Sequence, residues 1–138
     1  MEVENKKRKV GAAVQLRKVS SVYSLFMGIS MLAMWLMFYF TNSIPEIQTK
    51  PVELGLHVVA EVSTALLLII GAIGLLLKKS WGLKTYLISM GMLLYTLIMS
   101  PGYFLQKGEI PFVIMFIVFL MLAIFLIILI AKNSNKML

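Results

Sequence analysis

Residues 54–77 read LGLHVVAEVSTALLLIIGAIGLLL, an unbroken stretch in which only His57, Glu61, Ser63 and Thr64 are neither apolar nor glycine. A run this long exceeds the 18 or so residues that mark a membrane-spanning helix. In hydrocarbon no water can bond the peptide groups, so such a segment must satisfy them internally, as a helix does. At 1.5 Å per residue it reaches about 36 Å, against a hydrocarbon core of about 30 Å, and is expected to tilt or protrude.

Working outward, the pattern repeats. A loop with Pro45, Glu46, Lys50 and Pro51 precedes the run and stops a helix. Before that loop, residues 21–40 form an apolar run too long for a signal-peptide core and with no small-residue cleavage site after it. On the other side, Lys78-Lys79-Ser80-Trp81-Gly82-Leu83-Lys84 is a tight basic turn. The third run, 85–99, is expected to end at Ser100-Pro101-Gly102, where proline and glycine punctuate the chain. A loop with Lys107, Gly108 and Glu109 leads to the fourth run, 111–131, whose opening proline suits a first helical turn. Residues 1–20 form a basic leading segment, of which the part around Ala12 to Val19 is expected either to extend the first helix or to lie along the membrane surface. Residues 132–138 form a short polar tail. Strand alternation is missing, which excludes a membrane β-barrel. The expected fold is all-α, an integral membrane four-helix bundle without internal repeats.

Composition agrees. Of 138 residues, 60% are hydrophobic and 14% charged, where soluble domains carry about 25% charged residues. Mean hydropathy is +0.93. The net charge of +7, from 13 basic and 6 acidic residues, sits on the flanks of the apolar runs. No soluble module carries a basic face, so nucleic acid is not an expected partner. The Lys6-Lys7-Arg8-Lys9 cluster reads as a topology anchor that also touches anionic lipid.

Basic residues also orient the chain. With the N-terminus in the cytoplasm, the inner side holds Lys6, Lys7, Arg8, Lys9, Arg17, Lys18, Lys78, Lys79, Lys84, Lys132 and Lys136, and the outer side only Lys50 and Lys107. That excess predicts both ends inside. Tyr23, Trp81 and Tyr86 fall near the inner boundary, and Tyr39 and Tyr103 near the outer one. A multi-pass place in the cell membrane follows as the expectation.

Chemistry is sparse. There are no cysteines, which removes disulfides, thiolate catalysis, iron–sulfur clusters and cysteine-ligated zinc. The apolar runs hold one acid, Glu61, and one histidine, His57, four apart and therefore on one helix face. That face continues as Thr64, Leu68, Gly71, Ala72 and Leu75 and is expected to point into the bundle. Glu61 lies about 10 Å further in than the first residue of its run. A carboxylate so placed must be protonated, hydrogen-bonded or hydrated. The third run reaches the same depth near Tyr95, on a face with Ile88, Gly91, Met92, Met99 and Gly102. Gly91 permits a close backbone approach, and Tyr95 is expected to offer its hydroxyl to Glu61. The candidate intramembrane site is thus His57, Glu61, Thr64 and Tyr95. Such a cluster either does work or serves as glue between helices. His57 and Glu61 supply two metal ligands where zinc needs three or four, and a heme would have His57 alone; no metal or cofactor is expected. Ser63, Thr64, Ser89 and Ser100 lack a base and an orienting group, so no catalytic set is expected. Ser24 and Gly28, and Gly71 and Gly74, read as helix contacts. The fourth run has no polar residue and is expected to face lipid widely.

Leu56-His57, Ala60-Glu61, Gly91, Leu94-Tyr95, Pro101-Gly102-Tyr103 and Met115-Phe116 resemble small four-span prokaryotic membrane proteins of uncharacterised function, loosely the DoxX-like group. The resemblance covers about half the chain and implies a four-helix bundle. Val59 to Thr64 locally resembles the acid-bearing segment of small multidrug resistance transporters, in which a membrane glutamate exchanges protons and cationic drugs. Here the acid falls in the second run rather than the first, and the later aromatic and glycine pattern of those transporters is missing.

The expected role is a non-enzymatic accessory or interaction subunit, its partners being the lipid bilayer and either further copies of itself or a larger membrane protein. The alternative is an oligomeric proton-coupled small-molecule or cation transporter or channel that uses Glu61. A membrane enzyme or quinone-linked redox partner is the third possibility and finds no catalytic set to support it.

Overall fold

A computed structural model describes residues 1–42 and 46–133. Pro45, the side chain of Glu46 and the tail from residue 134, with Lys136, lie outside the described residues. The described chain is helical without strands: α1 (Glu2–Phe40), α2 (Glu46–Thr49), α3 (Pro51–Leu76), α4 (Gly82–Gln106) and α5 (Ile110–Lys132). All but α2 are long and apolar enough to cross a membrane.

Two boundaries differ from the sequence expectation. First, α1 starts at Glu2, so the basic leading segment continues the first helix. At 1.5 Å per residue α1 is about 58 Å long, nearly twice a hydrocarbon core. Residues 2–12 are all exposed. Second, α4 runs through Ser100-Pro101-Gly102 to Gln106 with Pro101 inside it. Proline removes one i→i−4 bond but does not forbid a helix whose neighbours hold it. Here Phe104 stacks on Phe112 and Phe116 of α5, with ring centroids 5.0 and 5.5 Å apart, and so ties down the last turns of α4.

The long helices alternate in direction. α1 packs on α3, α3 on α4 and α4 on α5, while α1 and α5 touch little. That last contact is made where the Tyr23 hydroxyl donates to the Phe119 carbonyl at 2.7 Å and Phe26 meets Phe119. Small residues set the close packing. An added Cβ at Gly28 would stand 2.8 Å from the Ala65 carbonyl oxygen, and one at Gly71 would stand 2.9 Å from the Tyr86 Cα. Beside Gly28, the buried Ser24 hydroxyl donates to the Leu68 carbonyl at 2.7 Å. Both small-residue steps are helix contacts. The α3–α4 turn closes with Lys79 N–H donating to the Gly74 carbonyl at 2.9 Å and Lys78 at φ +56°.

Burial is uneven along the bundle. Core residues run from Ser20 to Met31 on α1, Glu61 to Leu75 on α3, Gly82 to Leu97 on α4 and Phe116 to Ile130 on α5. None lies in residues 32–40, 51–60 or 98–106. The end that holds the start of α4 and the finish of α5 is therefore close-packed. The opposite, distal end is open. On α5 only Phe116, Ala123, Leu126 and Ile130 are buried; Phe119, Leu120 and Ile127 pack partly against the core, and many of its other apolar side chains are exposed.

Candidate functional site

The inward face of α3 runs Glu61, Thr64, Leu68, Gly71, Ala72 and Leu75, all buried, so the helical spacing places Glu61 as expected. The Glu61 side chain is 5% exposed. It lies about 15 Å from the start of α3 at Pro51, where the open and packed parts of the bundle meet.

Both carboxyl oxygens are engaged. Oε1 lies 3.3 Å from the His57 Nε2. Oε2 accepts a hydrogen bond from the Trp35 indole Nε1–H of α1. The Trp35 ring also meets His57 edge-on, with centroids 5.9 Å apart at 69°. Three side chains from two helices thus form one polar knot. An indole N–H is a donor only and needs an acceptor when removed from water; Glu61 provides it. His57 is on the same face but 51% exposed, in the stretch of α3 where no residue is buried.

Trp35 is the member that the sequence reading missed. The spacing of polar residues points to α4 for the partner, whereas α1 and α3, successive long helices, pack against each other. A tryptophan about a turn and a half before the end of α1 was the signal available.

Thr64 and Tyr95 are near the acid but do not bond to it. The Thr64 hydroxyl donates to the Ala60 carbonyl at 2.8 Å, a bond within its own helix. Tyr95 is 65% exposed, and among the described residues its hydroxyl is not bonded to Glu61. The space around Gly91 explains this: an added Cβ there meets nothing within 4 Å, so this glycine does not draw α4 against α3. The face of α4 that packs is Tyr86, Ser89, Met90, Leu93 and Leu97, rotated from the one expected. Tyr95 instead lines a cleft of about 190 Å³ between α3 and α4, with Met92, Thr96 and Met99 on its side and His57, Ala60, Glu61 and Thr64 opposite.

Leu68, the next residue of the Glu61 face past Thr64, is fully buried, as are Met90 and Leu93 of α4. No three His, Asp or Glu residues gather among the described residues to hold a metal.

Residues 14–138 match the family described as Domain of unknown function (DUF8058). The chain belongs to that family. The matched stretch takes in all of α3, α4 and α5, and with them the Glu61 cleft. For this member of DUF8058, no curated protein and no solved structure gives a match.

Proposed function

We propose that this member of DUF8058 is a non-enzymatic, multi-pass protein of the cell membrane that serves as an accessory or interaction subunit, with both ends in the cytoplasm. The cleft beside Glu61 carries this reading. It brings His57, Glu61, Thr64 and Tyr95 together on one side of the bundle, while Leu68, Met90 and Leu93 are fully buried in the core. A small cleft with an acid in its lining, next to a close-packed core, suits holding another group better than passing one through. The orientation rests on the distribution of basic residues, which crowd the loops and ends on one side.

The test pairs two measurements on the full chain, one purified and one in cells. Reconstituted alone in vesicles, it should move no solute in response to a pH gradient. A photoreactive side chain placed at Met99, beside the cleft, should cross-link in intact cells to one discrete larger membrane protein. Uptake by the chain alone, abolished by Glu61→Gln, would replace this reading with the second.

That second reading is an oligomeric proton-coupled transporter or channel for a small molecule or cation. The Trp35–Glu61–His57 knot supports it, since a nearly buried carboxyl with a half-exposed histidine beside it is a plausible proton-binding site. One four-helix chain is too thin to enclose a path, so this function requires at least a dimer.

A further inference from the structure

We propose that the α3–α4 cleft is the seat of a transmembrane helix from a different protein, and that this helix brings a lysine or arginine to Glu61. The proposal rests on the accessory-subunit reading and names the chemistry of the partner.

Charge complementarity is the first support. Intramembrane acids pair with cations or face water, yet residues 21–40, 54–77, 85–99 and 111–131 contain no lysine or arginine. The groups that reach Glu61 from this chain are the Trp35 indole and the His57 imidazole, neither of which carries a fixed charge. A second copy of the chain could bring only another Glu61 and another His57 to that depth. A fixed cation for Glu61 would come from another protein.

Shape is the second support. Met92, Tyr95, Thr96 and Met99 make a wall of flexible thioethers and one exposed aromatic ring beside the carboxyl. Thioether side chains adapt to an incoming surface, and an aromatic face attracts a cation. Next to that wall, Gly91 leaves the backbone of α4 bare, with nothing within 4 Å of where a side chain would stand. A bare patch of this kind lets a partner helix approach closely. The cleft volume of about 190 Å³ accepts one long side chain, with Glu61 in its lining to meet it. A partner helix seated there would also shield His57, now 51% exposed at a level where lipid is the alternative neighbour.

The probe is a synthetic leucine–alanine transmembrane helix of about 20 residues in three forms. One carries a single lysine at the depth of Glu61, one carries the lysine in the opposite third, and one carries leucine throughout. The native chain has no cysteine, so Lys50→Cys, on an exposed residue, provides a single labelling site for energy transfer from the labelled peptide in phosphatidylcholine vesicles. The lysine peptide at matched depth should associate about tenfold more tightly than the leucine peptide. Moving the lysine should abolish the preference, and so should Glu61→Gln. Equal binding of all three peptides overturns the proposal. A preference that ignores lysine depth overturns it as well, and that comparison uses the native cleft, so it stands even if the Gln variant does not fold. Neither result touches the accessory reading, which stands or falls on transport by the chain alone and on cross-linking from Met99.

Discussion

The two halves of α3 behave as if they belonged to different proteins. From Thr64 to Leu75 the helix is pressed between α1 and α4, with glycines where backbones nearly touch. From Pro51 to Ala60 the same helix buries nothing. Glu61 sits on the border. The difference separates what the fold needs from what is left over for something else. The packed half spends its small residues on contact and its hydroxyls on backbone carbonyls. The open half carries a histidine and leads to the carboxyl and the cleft at the border.

The sharpest way to break this comparison is to place the same change in both halves. Gly71→Leu should cost about 3 kcal/mol or more, because the added side chain would drive into the Tyr86 backbone, which cannot move aside. Gly91→Leu, with open space around it, should be neutral or slightly stabilising, since leucine favours a helix over glycine by several tenths of a kcal/mol. Thermal unfolding in mild detergent measures both. Equal losses would mean that α4 packs through Gly91 after all.

Next in size is the polar knot. A double-mutant cycle of Trp35→Phe with Glu61→Gln should show a coupling of about 1 kcal/mol, the size of an ordinary hydrogen bond. The cycle of Tyr95→Phe with Glu61→Gln should be additive within about 0.5 kcal/mol, since Tyr95 lines the cleft without bonding to the acid. Reversed magnitudes would restore the Tyr95 contact that the sequence spacing favours. Ser24→Ala, which deletes the α1–α3 bond to the Leu68 carbonyl, should cost about 1 kcal/mol and leave the knot unchanged.

These contrasts show what sequence can and cannot reveal. Apolar run lengths identify the four long helices, because a spanning segment must be long, greasy and internally bonded. The 3.6-residue period identifies the inward face of α3, from Glu61 to Leu75. The same period cannot decide which face of α4 packs, since Ile88, Gly91 and Met92 are as apolar as Ser89, Met90 and Leu93. Only the actual neighbours select Met90 and Leu93 and turn Tyr95 outward. Proline is ambiguous for a related reason. Pro101 ends a helix in water but is carried inside α4 where the Phe104 stack secures the turns beyond it. Trp35 is not legible as a site residue because nothing in an apolar run shows which acceptor its indole N–H will meet; the pairing of α1 with α3 supplies Glu61.

The smallest expected effect tests whether the packed half is already at its best. Lys78 closes the α3–α4 turn at φ +56°, a left-handed conformation that costs a residue with a Cβ about 1–2 kcal/mol relative to the right-handed one and costs glycine little. The turn holds its form through the Lys79 N–H bond to Gly74 and the Lys78 N–H contact to Leu75, 3.3 Å long. Two effects oppose the gain from Lys78→Gly. Glycine is freer in the unfolded chain, and the lysine is a cation at the C-terminus of α3, where the helix dipole favours one by about 0.3–1 kcal/mol. The net should be a stabilisation of about 0.5 kcal/mol. Lys78→Asn separates the terms, since asparagine tolerates the left-handed region but carries no charge. If both variants lose stability equally, the charge governs this turn. If glycine gains where asparagine does not, backbone geometry governs it, and the close-packed end of the molecule still holds strain that a single substitution releases.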